Sequence, residues 1–344
     1  MDLRPSAEQQ QLIDAFGALY AKESTAERVR EAEPLGFDRR LWTQLVDLGA
    51  LSMAVDEANG GWGASLLDLE LVAEEHGRAL GPAPLLEAQV ACRLLARTDG
   101  AVAAELLAAA IAGERLPTLS PRMPASGVLA LVPAGAVATD VIVRHDDRLV
   151  VLPLGDDRTL PENVGSQPLA DVPVDGSRLA EATVLADQAG AELLDRALDD
   201  WLVLTAGALA GMAERAVRIG VDYAAEREAF DQKIGAFQAV GHRLADAATA
   251  SAGATLLARE AAWADGEEPG RRAELAAMAF SFAAETARDA TDVALHVHGG
   301  YGFMLEYDIQ LYYRRARGWA NVLMSPSTAA RRVADRRYGP KWAN

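Results

Sequence analysis

One stretch sets the terms for the whole chain. Residues 191–228, "AELLDRALDDWLVLTAGALAGMAERAVRIGVDYAAERE", keep apolar side chains at helical spacing throughout. A helix of that length cannot bury its apolar stripe alone and needs helical neighbours. Neighbours follow at once: "AFQAVGHRLADAATASAGATLLAREAAWADG" (236–266) and "RRAELAAMAFSFAAETARDATDVALHVHGG" (271–300). "EYDIQLYYRRARGWANVL" (306–323) and "PSTAARRVADRRYG" (326–339) finish the set. Long helices joined by short loops predict an up-down bundle.

The first 115 residues also read as helices. "SAEQQQLIDAFGALYAKE" offers Ser6 as a cap, with Leu12, Ile13, Phe16, Leu19 and Tyr20 at helical spacing. "DRRLWTQLVDLGAL" and "SLLDLELVAEEHGRAL" behave likewise, separated by the polar, glycine-rich "VDEANGGWGAS". From Pro117 the character changes. "GVLALVPAGAVATDVIVRHDDRLVVLPL" and "ADVPVDGSRLAEATVLA" are Val- and Leu-rich runs broken by Pro, Gly and Asp-Asp, which predicts short strands and turns. The expected fold is α+β, mainly α. It comprises an N-terminal helical domain (1–116), a small β domain (117–186) and a C-terminal four-helix bundle (187–344). The β part is long enough for a small barrel or sandwich.

Composition narrows the function. A net charge of −17 argues against nonspecific nucleic-acid binding and offers no general attraction to anionic membranes or cofactors. A phosphate-bearing ligand therefore has to be held by local donors or by a partner chain. The single cysteine, Cys92, excludes an internal disulfide and a multi-cysteine metal site. "MDLRPSAEQQ" does not read as a signal peptide, and no apolar run reaches membrane-spanning length, so the expectation is a cytoplasmic protein without membrane insertion.

Few residues offer chemistry of their own. There is no G-x-S-x-G elbow, no H-E-x-x-H and no glycine fingerprint in a βαβ unit. His296 and His298 are two apart and do not share a helix face. One is expected exposed and the other packed or hydrogen-bonded, with no metal between them. The glycine pair in "LHVHGGYGFMLEYD" (295–308) is harder to explain. Either the helix stops there, or something large approaches the backbone at Gly299 and Gly300. Read one at a time, Arg227 suits a helix-surface arginine paired with Glu226 or Asp222. Phe230 suits the core, and Gln238 an exposed loop.

Taken together, "VDEANGGWGASLLDLELVAEEHGRALGPAPLL" (55–86), "YAAEREAFDQKIGAFQAVGHRLAD" (223–246) and "LHVHGGYGFMLEYDIQLYYRRAR" (295–317) give the chain a family likeness. Over nearly its whole length it resembles the acyl-CoA dehydrogenases, whose helical–β–helical order it shares. The resemblance implies FAD as cofactor, an acyl-CoA substrate, and electron-transfer flavoprotein or a similar acceptor. It implies that Gly299 and Gly300 admit the pyrophosphate or ribitol chain of an FAD usually bound on a neighbouring subunit. Arg227 matches the arginine that reaches the pyrophosphate, a task suited to a planar cation. Phe230 and Gln238 match positions lining the same surface, and His296 is counted with them.

Three departures qualify the likeness. Family chemistry removes an α-proton with a glutamate while a hydride leaves for the flavin. One family position for that glutamate falls here at Leu323 or Met324, and no Asp or Glu lies between Asp308 and Asp335. The other falls at Trp201, beside Asp199 and Asp200. Asp200 is then a displaced base or, in the plainer reading, an exposed or helix-start carboxylate. The ring-cradling T-E-P-x-x-G-S-D and K-x-W-I-T segments have no counterpart in 117–186, a region some forty residues short for the family. No catalytic residue is therefore assigned. The expectation is the shortened, base-lacking subunit of a heterotetramer with a homologous chain. It resembles actinobacterial sterol-catabolism enzymes, whose substrates are bulky steroid-CoA thioesters. A homomeric enzyme using Asp200 and a noncatalytic pseudoenzyme are the alternatives.

Overall fold

A computed structural model describes residues 2–180, 182–187 and 189–339. Six helices come first: α1 (Ala7–Glu23), α2 (Ala26–Glu31), α3 (Arg39–Asp47), α4 (Leu66–Arg78), α5 (Leu85–Ala96) and α6 (Ala101–Ile111). Then come β1 (Pro117–Leu119), β2 (Val128–Val132), β3 (Asp140–His145), β4 (Arg148–Pro153), β5 (Ala170–Pro173), α7 (Gly176–Ala180) and β6 (Thr183–Ala186). The long α8 (Gly190–Glu226) leads into a small hairpin, β7 (Glu228–Ala229) and β8 (Gln232–Lys233). α9 (Gln238–Glu267), α10 (Arg272–His298), α11 (Ile309–Leu323) and α12 (Pro326–Tyr338) complete the chain. The architecture is α+β and mainly α, as the periodicity implies.

The chain forms two compact units. One comprises residues 27–69 and 82–201. Its α3 is capped by Asp38, whose carboxylate accepts from the backbone N–H of Arg40 and Leu41 and also pairs with Arg28 at 2.6 Å. The sheet in this unit runs β1-β3-β4-β6, with β1 parallel to β3 and the other pairs antiparallel. The Asp-Asp pair read as a turn joins β3 to β4, with Asp146 at positive φ. β2 and β5 pair separately, with a bulge between Leu129 and Val132. Leu129, Val132, Val141, Val150, Leu152 and Val172 bury together, so both sheets close over one core in a small sandwich.

The other unit comprises the N-terminal residues to Ala26, residues 70–81 and the chain from Leu202 onward. Ser6 and Gln9 form a reciprocal capping box on α1, and Phe16 and Tyr20 are buried. α10 packs against α9, α11 and α12. The facing stripes are alanine: Ala254, Ala258 and Ala261 on α9, Ala276, Ala283 and Ala287 on α10. Small side chains let helix backbones approach closely, and the same device recurs where α4 meets α8. A Cβ on Gly77 would lie 1.8 Å from the Ala208 carbonyl oxygen, and one on Gly211 would lie 2.0 Å from that of Glu74. Glu70 is buried in this unit with both carboxylate oxygens lacking a hydrogen-bond partner among the described residues. Burial, with the nearby Glu74 charge, pushes its pKa well up.

Candidate functional site

The residues singled out in the sequence gather where α8, the β7–β8 hairpin, the start of α9 and the end of α10 lie in one unit. Arg227 follows the last residue of α8. Its N–H donates to the Tyr223 carbonyl, and its own carbonyl accepts from Ile234 N–H, both at 2.9 Å, which closes the hairpin. Its guanidinium is exposed and has no carboxylate partner among the described residues. The expected local pairing does not form, because Asp222 is engaged by Arg218 at 3.1 Å one turn earlier. Arg227 lies instead 5.7 Å from the centre of the Tyr301 ring.

Phe230 departs from its single-residue reading as core. It is 91 % exposed at the tip of the hairpin. Phe230 and Asp231 hold φ of +54° and +61°, a turn geometry that Asn-Gly pairs adopt readily and a phenylalanine does not. A bulky residue held there costs about 1 kcal/mol or more. Its one ring contact is an edge-on approach to Phe237 at 6.2 Å. Gln238 is exposed and opens α9, whose first turn has no side-chain cap.

At the end of α10 the two histidines diverge as the helical spacing predicts. His296 is exposed. His298 is buried, stacked on Tyr223 at 4.0 Å, and its Nδ1–H donates to the Ala294 carbonyl at 2.7 Å. Burial lowers the His298 pKa, more than that hydrogen bond raises it. Tyr307 meets both Tyr223 and His298 edge-on, and Tyr301 lies beside it. This aromatic cluster ties the end of α8 to the end of α10 and brings Arg227 beside the glycine pair. It is the part of the site that sequence reasoning missed, although the tyrosines flanking the glycines were in plain view. Gln238 and His296 join the group through neither a hydrogen bond nor a ring contact among the described residues.

The glycine pair divides its labour. Gly299 ends α10 at φ +62°, a conformation that favours glycine. Gly300 has no such need, and a Cβ on it would meet nothing within 4 Å. Nothing among the described residues requires a glycine at 300. Open backbone at Gly299 and Gly300, an exposed guanidinium without a carboxylate partner at Arg227 and an exposed aromatic at Phe230 together suit the phosphate and nucleoside half of a dinucleotide.

The two base positions tell the opposite story. Leu323 is buried in the last turn of α11, and Met324 continues it in extended backbone. Asp200, in the other unit, is neither exposed nor at the start of its helix. It is fully buried, and its Oδ2 accepts from Arg93 Nε at 2.9 Å and Arg97 Nη1 at 2.6 Å. Burial alone would raise its pKa, but the two guanidiniums more than offset that and hold it below the usual carboxylate value. Such a group is a poor proton acceptor. Asp199 is also buried, and Trp201 beside it is core. Among the described residues no group of three or more His, Cys, Asp or Glu is placed to hold a metal, and no helix is long and apolar enough to cross a membrane.

Residues 6–114 match the family description "Acyl-CoA dehydrogenase, N-terminal domain", and residues 188–320 match "Acyl-CoA dehydrogenase, C-terminal domain". The Mycobacterium tuberculosis protein "Acyl-CoA dehydrogenase IpdE2" is 31% identical over 336 residues, covering 96% of this chain and 98% of its own. The crystal structure of the ChsE4-ChsE5 complex from Mycobacterium tuberculosis superposes with a TM-score of 0.85 at 26% identity, over 97% of this chain and 98% of that one. The Tcur3481-Tcur3483 steroid ACAD gives a TM-score of 0.84 at 26% identity, over 96% and 97%.

Proposed function

This chain belongs to the acyl-CoA dehydrogenase family, and from that premise we propose that it is the base-lacking subunit of a heteromeric enzyme. The family cofactor is FAD, which when bound supplies the hydride acceptor for α,β-dehydrogenation of an acyl-CoA. In this reading Arg227 holds the pyrophosphate, the open backbone of Gly299 and Gly300 admits it, and Phe230, Gln238 and His296 line the nucleoside end. A homologous chain supplies the flavin-ring cradle and the glutamate. The domains divide at 1–116, 117–186 and 187–344. The heterotetramer, a bulky steroid-CoA thioester as substrate, an electron-transfer flavoprotein as acceptor and a cytoplasmic setting belong to the same proposal. Similarity to a steroid ACAD and to a two-chain complex supports the first two.

One observation carries the division of labour. Of the two family positions for the base, one holds Leu323 and Met324, while the other holds Trp201 beside an Asp200 whose charge is committed to Arg93 and Arg97. Arg227 beside the open backbone of Gly299 and Gly300 supports the reading of a cofactor site at the other end. Co-expression with a homologous longer chain tests this. Expressed alone, the chain is expected to retain little FAD through gel filtration, and the co-purified assembly is expected to be yellow. A fully flavinated homo-oligomer of this chain would contradict the reading.

A further inference from the structure

A second site lies in the unit formed by residues 27–69 and 82–201. The glycine-rich connection between α3 and α4 folds against the end of α5 and leaves a cavity of ≈170 Å³. Ala54, Val55, Ala64 and Ala96 contribute small side chains to a lining that is more polar than apolar. Three charged side chains also line it: Asp56, Arg93 and Arg97.

The arginines are not equivalent. Asp200 takes Arg93 through Nε and Arg97 through Nη1. The Arg93 side chain is 9% exposed, whereas that of Arg97 is 25% exposed. Arg97 is thus fixed by one nitrogen, and its Nε and Nη2 make no hydrogen bond among the described residues. That leaves two N–H-bearing nitrogens on a side chain that lines the cavity and is anchored through its third. We propose that this cavity binds a small monocarboxylate, received by the free edge of Arg97.

Chemistry and size select that class. A guanidinium edge presents two parallel N–H donors, which match the two oxygens of a carboxylate. The cavity's volume, ≈170 Å³, admits a monocarboxylate with a body about the size of benzene. Asp56 sets the charge limit. It is exposed, one of its oxygens accepts from Asn59 N–H at 2.9 Å, and its charge disfavours a ligand with a second carboxylate. Burial also lowers the Arg97 pKa despite the Asp200 charge beside it, the mark of a cation short of solvation. This site is independent of the FAD reading and uses none of its residues.

Benzoate and its uncharged isostere benzamide are the probes, titrated into the purified chain and followed by ligand-observed NMR. Benzoate is expected to bind saturably and at least about tenfold more tightly than benzamide, the lower bound for a hydrogen bond to a charged group. Arg97→Gln is expected to remove that preference. Because it also touches Asp200, two further variants keep the test open. Arg97→Lys retains the charge and is expected to recover only part of the preference. Asp56→Asn, at an exposed position, is expected to tighten benzoate and to admit phthalate, a dianion of the same body. Equal binding of benzoate and benzamide, no saturable binding of either, or weaker benzoate binding in folded Asp56→Asn would overturn the proposal.

Discussion

Asp200→Asn separates a structural carboxylate from a catalytic one. The wild-type side chain accepts charge-assisted hydrogen bonds from Arg93 and Arg97 at 2.9 and 2.6 Å while fully buried. Removing one partner of a buried ion pair costs about 3–5 kcal/mol, because the remaining charges stay buried without compensation. Asparagine keeps one carbonyl oxygen to accept with, which points to the lower end. A loss of about 3 kcal/mol lowers the folding equilibrium more than a hundredfold. Urea unfolding at neutral pH reads it as a lower midpoint at unchanged slope. The pH dependence has a fixed sign. The Asp200 pKa is depressed in the folded state, so its contribution is present above the ordinary carboxyl value of 3.8 and fades as pH falls through the lower folded value. The gap between wild type and Asp200→Asn should therefore be constant near neutrality and close in acid. Turnover of the folded, assembled enzyme should stay within a few-fold of wild type. A variant as stable as wild type that loses about a thousandfold in turnover would identify Asp200 as the base and refute this reasoning.

Three other substitutions bear on the account. Arg227→Ala should weaken FAD retention in the assembly about 10–150-fold, with partial recovery in Arg227→Lys, as followed by flavin loss on dialysis. Gly300→Ala should leave the isolated chain's stability within about 0.5 kcal/mol of wild type, since its Cβ meets nothing, yet impair flavin retention in the assembly. Glu70→Gln should flatten the pH dependence of stability measured by urea midpoints. The Glu70 pKa is raised in the folded state, so wild type should lose stability as pH rises from about 4.5 towards that raised value, and the amide should not.

Local chemistry was legible in the sequence where it decides the outcome. Ser6 caps α1, the Asp-Asp turn joins β3 to β4, and the spacing of His296 and His298 puts one outside and one inside. The reading of Asp200 failed because its partners are 107 and 103 residues away, and helical spacing carries no information about them. The reading of Phe230 as core failed for a different reason. Phe-Asp is not a sequence that announces a turn at positive φ, so its exposure could not be read from residue type. Arg227 lacks the expected carboxylate partner among the described residues, and Arg218, one helical turn before Asp222, holds that carboxylate. The glycine pair could be recognised as exceptional from sequence. That Gly300 answers to no need among the described residues required the coordinates.

The central claim is that the proton acceptor lies on another chain. The most direct measurement is turnover of the co-purified assembly after the homologous partner's catalytic glutamate is changed to glutamine. The account predicts that activity is abolished while flavin stays bound, because it assigns no proton acceptor to Leu323, Met324 or the committed Asp200. A substantial residual rate with the partner's glutamate gone would show that this chain has a base of its own, and would contradict the division of labour.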